Sequence, residues 1–192
     1  MNMNVASVAR TLNQKYVQQK WHYFCDPGLT FTDNFYDQFL ATWREKSGDK
    51  KMPKRSQLTP RYLKNVLRNV VLFERIGQGP SRYMFRLIGS GLTEIAGHVT
   101  GKTFEECIQP ELVSRWNECL DFVMNSEQPM RFIGRVHFSG REYLDAEHLY
   151  IPLANDNDEP SFIMGLCRYT PRLTEDQESW ENQIASIPGG LL

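Results

Sequence analysis

The chain has 192 residues, 41% of them hydrophobic and 12% aromatic, with a net charge of −1. That is enough apolar material for one good core with extensions, and too little length for two full domains. No apolar run approaches a bilayer span, and the N-terminus lacks the apolar segment and cleavage site of a signal peptide, so a cytoplasmic protein is expected.

Cys25, Cys107, Cys119 and Cys167 are widely separated, sit mostly in apolar company and form no CxxC pair. They suit reduced, buried thiols better than a disulfide framework. The small net charge hides an asymmetry: residues 1–70 hold 12 Lys and Arg against 5 Asp and Glu, and the remainder reverses the balance. The basic excess lies between Arg44 and Arg68. It either faces nucleic acid, through Lys50, Lys51, Lys54 and Arg55, or rests as a solvated loop near the acidic body of the same molecule; sparse aromatic residues there favour the second.

In chain order, Val5, Val8, Leu12, Tyr16 and Tyr23 recur at helical spacing and predict a helix with a narrow apolar stripe, ended by Cys25-Asp-Pro-Gly. A stripe that thin needs a partner. A second helix is predicted from Thr32 or Asp33, with Phe35, Phe39 and Trp43 on one face, dissolving at Ser47-Gly48-Asp49. Thr59 before Pro60 predicts a short helix to about Arg68. From Val70 the period becomes two: NVVLFERI and RYMFRLIG read as a hairpin, with Tyr83, Phe85 and Leu87 on one face. Two short helical turns follow, at Leu92–Ala96 and Thr103–Ile108. Pro110 opens a longer amphipathic helix carrying Leu112, Val113, Trp116, Cys119, Leu120 and Val123. Three strands close the pattern, Met130–Phe138, Glu142–Leu153 and Ser161–Tyr169. The expected fold is α+β: one five-stranded antiparallel sheet with helices on one face.

Residues Ala96–Thr103, AGHVTGKT, satisfy a permissive phosphate-loop pattern, yet the buried strand, following long helix and magnesium carboxylate that such a loop requires are missing. Gly97, Gly101 and Lys102 are therefore expected to cap helices and form turns. Gly89-Ser-Gly91 fails the dinucleotide pattern because Glu94 occupies the third glycine position. His22 with Cys25, and Cys107 with Cys119, fall short of a zinc ligand set. Alternation along EYLDAEHLYIPL sends Asp145 and Glu147 to one face and His148 to the other with Leu144, Ala146 and Tyr150, so the three cannot act together. His148 then reads as a hydrogen-bonded core histidine, with recognition of a buried ligand as the functional alternative. Phe85, Leu87, Ile95, Phe104, Trp116, Leu120, Phe132, His148, Tyr150 and Met164 fit either an ordinary filled core or the lining of an apolar cavity between Trp116 and the sheet.

FRLIGSGLTEIAGHVTGKTFEE, the helix after Pro110 and the strand YLDAEHLYIPLANDND together resemble a PAS domain, of the compact stand-alone bacterial kind with a basic MPKR segment upstream. The resemblance spans roughly 39–172, and one departure is His98, where many relatives carry an acidic residue. It implies a PAS-like core over 70–172, preceded by a helical extension (1–30) and a helix with the basic loop (31–69), and followed by a C-terminal helix and tail (173–192). Such domains serve haem, flavin, small-metabolite and protein-binding roles, so fold does not settle the ligand. The flavin photosensor's reactive cysteine sequence is absent and no histidine lies on the 111–124 helix, which disfavours both flavin and haem. The resemblance implies a non-enzymatic regulator acting through another signalling protein such as a histidine kinase. A homodimer is expected, through the stripe Val5, Val8, Leu12 and Tyr16 or the outer sheet face. The alternatives are a small-molecule enzyme using His148 in the cavity and a nucleic-acid binder using the segment 44–68.

Overall fold

A computed structural model describes residues 4–31, 33–80, 82–136, 140–172 and Ala185. Its elements are α1 (Val5–Gln18), β1 (Tyr23–Asp26), α2 (Asp37–Ser47), α3 (Pro60–Leu63), β2 (Val70–Arg75), β3 (Tyr83–Ile88), α4 (Ser90–Ala96), α5 (Pro110–Ser126), β4 (Met130–Arg135), β5 (Leu144–Ala154) and β6 (Pro160–Pro171). Short 3-10 turns occur at Arg55–Gln57, Leu67–Asn69 and Phe104–Glu106. The expected extension of β4 through His137 to Phe138 falls outside the described residues, as do a helix start at Thr32 and, Ala185 apart, the C-terminal helix and tail.

All strands pair antiparallel in the order β1-β4-β5-β6-β2-β3. The five expected strands are present, and β1 is a sixth. Its origin lies in how α1 ends. Asn4 caps the helix by accepting the Ser7 N–H, but Lys20 takes a left-handed conformation with φ of 54° and turns the chain before the helix reaches Tyr23. Tyr23–Asp26 then covers the edge of β4, which an unpaired edge strand requires in some form. The outward-facing N–H and C=O of Cys25 would be left open on the far side. Asn13 of α1 closes both, its carboxamide accepting from Cys25 N at 2.7 Å and donating to Cys25 O at 2.8 Å.

This arrangement alters the role of the N-terminal stripe. Ala9, Leu12 and Tyr16 are buried in the same core as Trp21, Tyr23 and α5, with Val5 packed against it. Val8 is 38% exposed. Leu12 and Tyr16 are therefore spent on this chain's own core, and the dimer interface expected along Val5, Val8, Leu12 and Tyr16 is not open on α1 as packed here.

Helical layers cover both faces of the sheet, where one was expected. The α5 face holds Phe73, Tyr83, Phe85, Phe104, Leu120, Phe132, Tyr150 and Cys167. On the opposite face, Phe39, Leu40 and Trp43 of α2 and Leu63 of α3 pack onto Leu72, Leu149, Ile151, Met164 and Leu166. Trp43 anchors that layer by donating from Nε1 to Pro152 O at 2.8 Å. An ion-pair chain, buried at Asp26 and Arg131 and open to solvent at Asp33, adds to it: Asp26 pairs with Arg131, Arg131 with Glu147, Glu147 with Arg168, and Arg168 with Asp33. These bonds tie the 26–36 segment across β4, β5 and β6.

The basic loop meets the acidic β5–β6 hairpin of its own chain. Lys54 pairs with Ala154 in a short parallel bridge, Lys50 and Lys54 both reach Asp158, and Lys51 pairs with Glu127. This is the self-contained arrangement among the two read from the sequence.

Candidate functional site

Along β5 the period of two sorts the side chains as alternation predicts. Ala146, His148 and Tyr150 face α5, while Leu149 and Ile151 face α2 and Glu147 joins the ion-pair chain. Beneath α4, the Phe104 turn and α5 lies a cavity of about 40 Å³, lined by Phe73, Phe85, Leu92, Phe104, Trp116 and Tyr150 among others. A water needs roughly 10–15 Å³ by this measure, so the space as packed admits about three or four waters.

Of the residues expected to line a cavity, Phe85, Phe104, Trp116 and Tyr150 converge here. Leu120 and Phe132 are fully buried in the same core without reaching the lining. His148 lines the adjoining cavity, with Trp116 as the shared wall. Ile95 packs against a separate cluster of Val136, Leu144 and Ala146. Leu87 and Met164 belong to the opposite face, with α2. For Leu87 the cause is a bulge: Leu72 pairs with Leu87 but Phe73 pairs with Phe85, so Arg86 is the extra residue and the side chains beyond it change face. For Met164 it is plain alternation, which brings Ile163 and Cys167 to the cavity side instead. Sequence reasoning missed Val71, Ile88, Leu92, Ala96, Ile108, Cys167 and Tyr169 as lining residues. For Cys167 and Tyr169 the signal was weak because β6 is apolar on both faces, and alternation in polarity vanishes when both faces are covered.

The adjoining cavity, of about 20 Å³, is lined by Trp21, Tyr23, Leu112, Trp116, Arg135 and His148 among others. The Tyr23 and Tyr150 hydroxyls lie 2.7 and 3.0 Å from His148 Nδ1. Two glycines make room for these phenols: a Cβ on Gly134 would sit 2.1 Å from the Tyr23 ring, and one on Gly165 would sit 2.6 Å from the Tyr150 ring. Burial lowers the His148 pKa to about 3 and pushes both tyrosines well above their ordinary value. The imidazole is neutral and the phenols protonated at physiological pH. A base that weak is mismatched to proton transfer near neutrality.

The other chemical candidates dissolve on geometry. Asp145 pairs with Arg172, and Glu147 with Arg131 and Arg168. Among the described residues no group of three or more His, Cys, Asp or Glu is placed to share a metal ion, and no helix is long and apolar enough to cross a membrane. In the AGHVTGKT segment three backbone amides are engaged within the protein: Gly101 N donates to Phe85 O at 2.7 Å, Lys102 N to Val99 O and Gly97 N to Thr93 O. Gly97 and Gly101 adopt φ of 78° and 84°, the turn conformations that glycine takes without a Cβ penalty.

The family model described as PAS domain matches residues 33–168. This chain belongs to the PAS domain family. No curated protein matches it significantly in sequence. Among solved structures, the PAS domain of Bordetella pertussis BvgS is 18% identical, covering 64% of this chain and 92% of its own length, with a TM-score of 0.45. A sensory box histidine kinase/response regulator from Burkholderia thailandensis is 14% identical over 65% of this chain and 95% of its own, with a TM-score of 0.40. The PAS-B domain of Drosophila melanogaster Cycle with bound ethylene glycol is 17% identical over 52% and 99%, with a TM-score of 0.35. The matched span of the family begins after β1, so α1 and β1 lie outside it.

Proposed function

We propose that this chain is a non-enzymatic sensory PAS module of bacterial signal transduction, acting by contact with a signalling protein such as a histidine kinase. One observation carries the reading: the α1–β1 segment is built into the same core that encloses the two cavities, through Tyr16, Trp21 and Tyr23. A change in the packing of that core alters the seating of the segment, and a segment with two seatings is a means of reporting. Side-chain chemistry supports the absence of catalysis, since the buried histidine is held neutral and the carboxylates of β5 are spent on arginines. A small ligand in the inner cavity, a homodimer through the exposed part of the molecule and a cytoplasmic location complete the proposal.

The test is direct. Purified full-length chain is added to the cytoplasmic regions of histidine kinases from the same genome, and autophosphorylation is followed against chain concentration. A saturable change with at least one kinase is expected, and it should weaken when Asn13→Ala loosens α1. Uniform indifference across the set would remove histidine kinases as the partner class. Light scattering on the same preparation gives the oligomeric state, and a monomeric mass at all concentrations refutes the dimer.

A further inference from the structure

Between Asp49 and Glu74 the chain carries seven Lys and Arg and no Asp or Glu. The fold treats the two ends of this run differently. At its start Lys50 and Lys54 reach Asp158, and Lys51 pairs with Glu127. At its end, along α3 and the 3-10 turn at Leu67–Asn69, Arg61, Lys64 and Arg68 are exposed and, among the described residues, form no ion pair and no side-chain hydrogen bond. Tyr62 and Leu67 stand among them at 39% and 37% exposure. Lys46 of α2 lies 4.6 Å from the centre of the Tyr62 ring, with its own charge met by Glu45.

This stretch is held from beneath. Leu63 is buried with α2 and the sheet, and Val66 packs against the same cluster. Asn69 Nδ2 donates to Cys167 O at 3.2 Å. Gly89 lets the 3-10 turn press against the start of α4, where a Cβ would lie 2.4 Å from Leu67 O. A surface fixed in this way loses little entropy when a partner covers it. Its three uncompensated cations attract a negative surface, and Tyr and Arg are the residues that protein interfaces favour. Duplex DNA calls for a longer stripe of cations, and the lysines that would extend this one are held by Asp158 and Glu127. An anionic membrane calls for roughly four to eight clustered cations, more than are free here. We propose that the Arg61–Arg68 surface docks an acidic segment of a partner protein, with carboxylates on Arg61, Lys64 and Arg68 and an apolar side chain against Tyr62 and Leu67. The assignment deepens the sensory reading above and rests on its claim that the chain acts by contact with another protein.

Full-length chain labelled with ¹⁵N is titrated with a synthetic amphipathic helical peptide carrying Glu beside a Leu stripe, and with the same peptide in which every Glu is Gln. Duplex DNA and phosphatidylglycerol vesicles are titrated in parallel. The Glu peptide should move the amides of Arg61–Arg68 saturably, and the Gln peptide should bind at least about tenfold more weakly. Combined Arg61→Glu, Lys64→Glu and Arg68→Glu, all at exposed and unpaired positions, should keep the remaining spectrum and abolish binding. Lys51→Gln, which removes a charge already paired within the chain, should leave the affinity within about twofold. Equal affinity for the two peptides overturns the proposal without any variant, as do saturable shifts confined to other surfaces or tighter binding of DNA or vesicles. Concentration-dependent shifts of these amides in the chain alone overturn it too, because a second copy then covers the patch. The titration contains no kinase, so indifference across the kinase panel leaves this surface to be judged by itself. A kinase response that survives the triple charge reversal places the contact elsewhere and overturns this assignment while the sensory reading stands.

Discussion

Asn13 bonds to both backbone groups of Cys25, and its removal measures how firmly the N-terminal segment is fastened. Both residues are buried, Asn13 at 2% and Cys25 at 0% exposure, and the two bonds are 2.7 and 2.8 Å long. Asn13→Ala orphans one donor and one acceptor on the free side of β1. At about 1–3 kcal/mol for each unsatisfied buried group, the cost is about 2–6 kcal/mol. Helix propensity opposes this only slightly, since Ala exceeds Asn by less than about 0.7 kcal/mol. Urea denaturation gives the total, and native-state hydrogen exchange shows where it falls. Amides of Ala9–Tyr16 and Tyr23–Asp26 should exchange far faster, while those of β5 and β6 should follow only the global loss. A destabilisation below about 1 kcal/mol, or acceleration spread evenly over the sheet, would refute the assigned role of Asn13.

Asp26→Ala leaves Arg131, which is 4% exposed, without its first partner and removes the acceptor for the Gly28 and Thr30 amides. A loss of about 3–5 kcal/mol is expected, and a double-mutant cycle with Arg131→Met should show strong coupling; additivity would contradict the network. Because the folded-state pKa of His148 is depressed to about 3, the unfolded chain takes up its proton first as pH falls. The stability contributed is complete above about pH 6.5 and is lost between there and about pH 3, at up to about 1.4 kcal/mol per pH unit. His148→Phe should flatten that slope in acid denaturation, and an unchanged slope would show that other groups set it. Lys102→Ala should leave nucleotide binding undetectable before and after substitution, so calorimetric ATP binding that depends on Lys102 would restore the phosphate-loop reading. Burial raises all four thiols, Cys107 the least buried among them at about 11, so a thiol reagent at pH 7 should label the native chain slowly and the unfolded chain at once. Fast native labelling of more than Cys107 would contradict the packing of the core.

Much of the fold was legible because its local rules agree. Pro110 opening an amphipathic run marks α5, the glycine-rich turn between two alternating segments marks β2 and β3, and the PAS resemblance orders these pieces. Alternation along β5 by itself separates His148 from Asp145 and Glu147. The cavity residues were only partly legible. Leu87 changes face because of a bulge at Arg86, and a bulge leaves no periodic trace. Met164 and Cys167 stand on opposite faces of a strand that is apolar on both. Asn13 was passed over because a polar residue on a helix reads as solvated until the backbone it satisfies is known.

The sequence by itself determined the α+β class, the positions of the long helix and five strands, the turn role of Gly97 and Gly101, and the sorting of β5, since each rests on local periodicity, capping or turn chemistry. The tertiary structure alone decided that four residues after α1 form a sixth strand, that the N-terminal stripe belongs to this chain's own core, that a second helical layer covers the other face, and that His148 meets Tyr23 across more than a hundred residues of chain. These depend on which distant surfaces meet, and burial at such contacts overrides the local signals from which a sequence can be read.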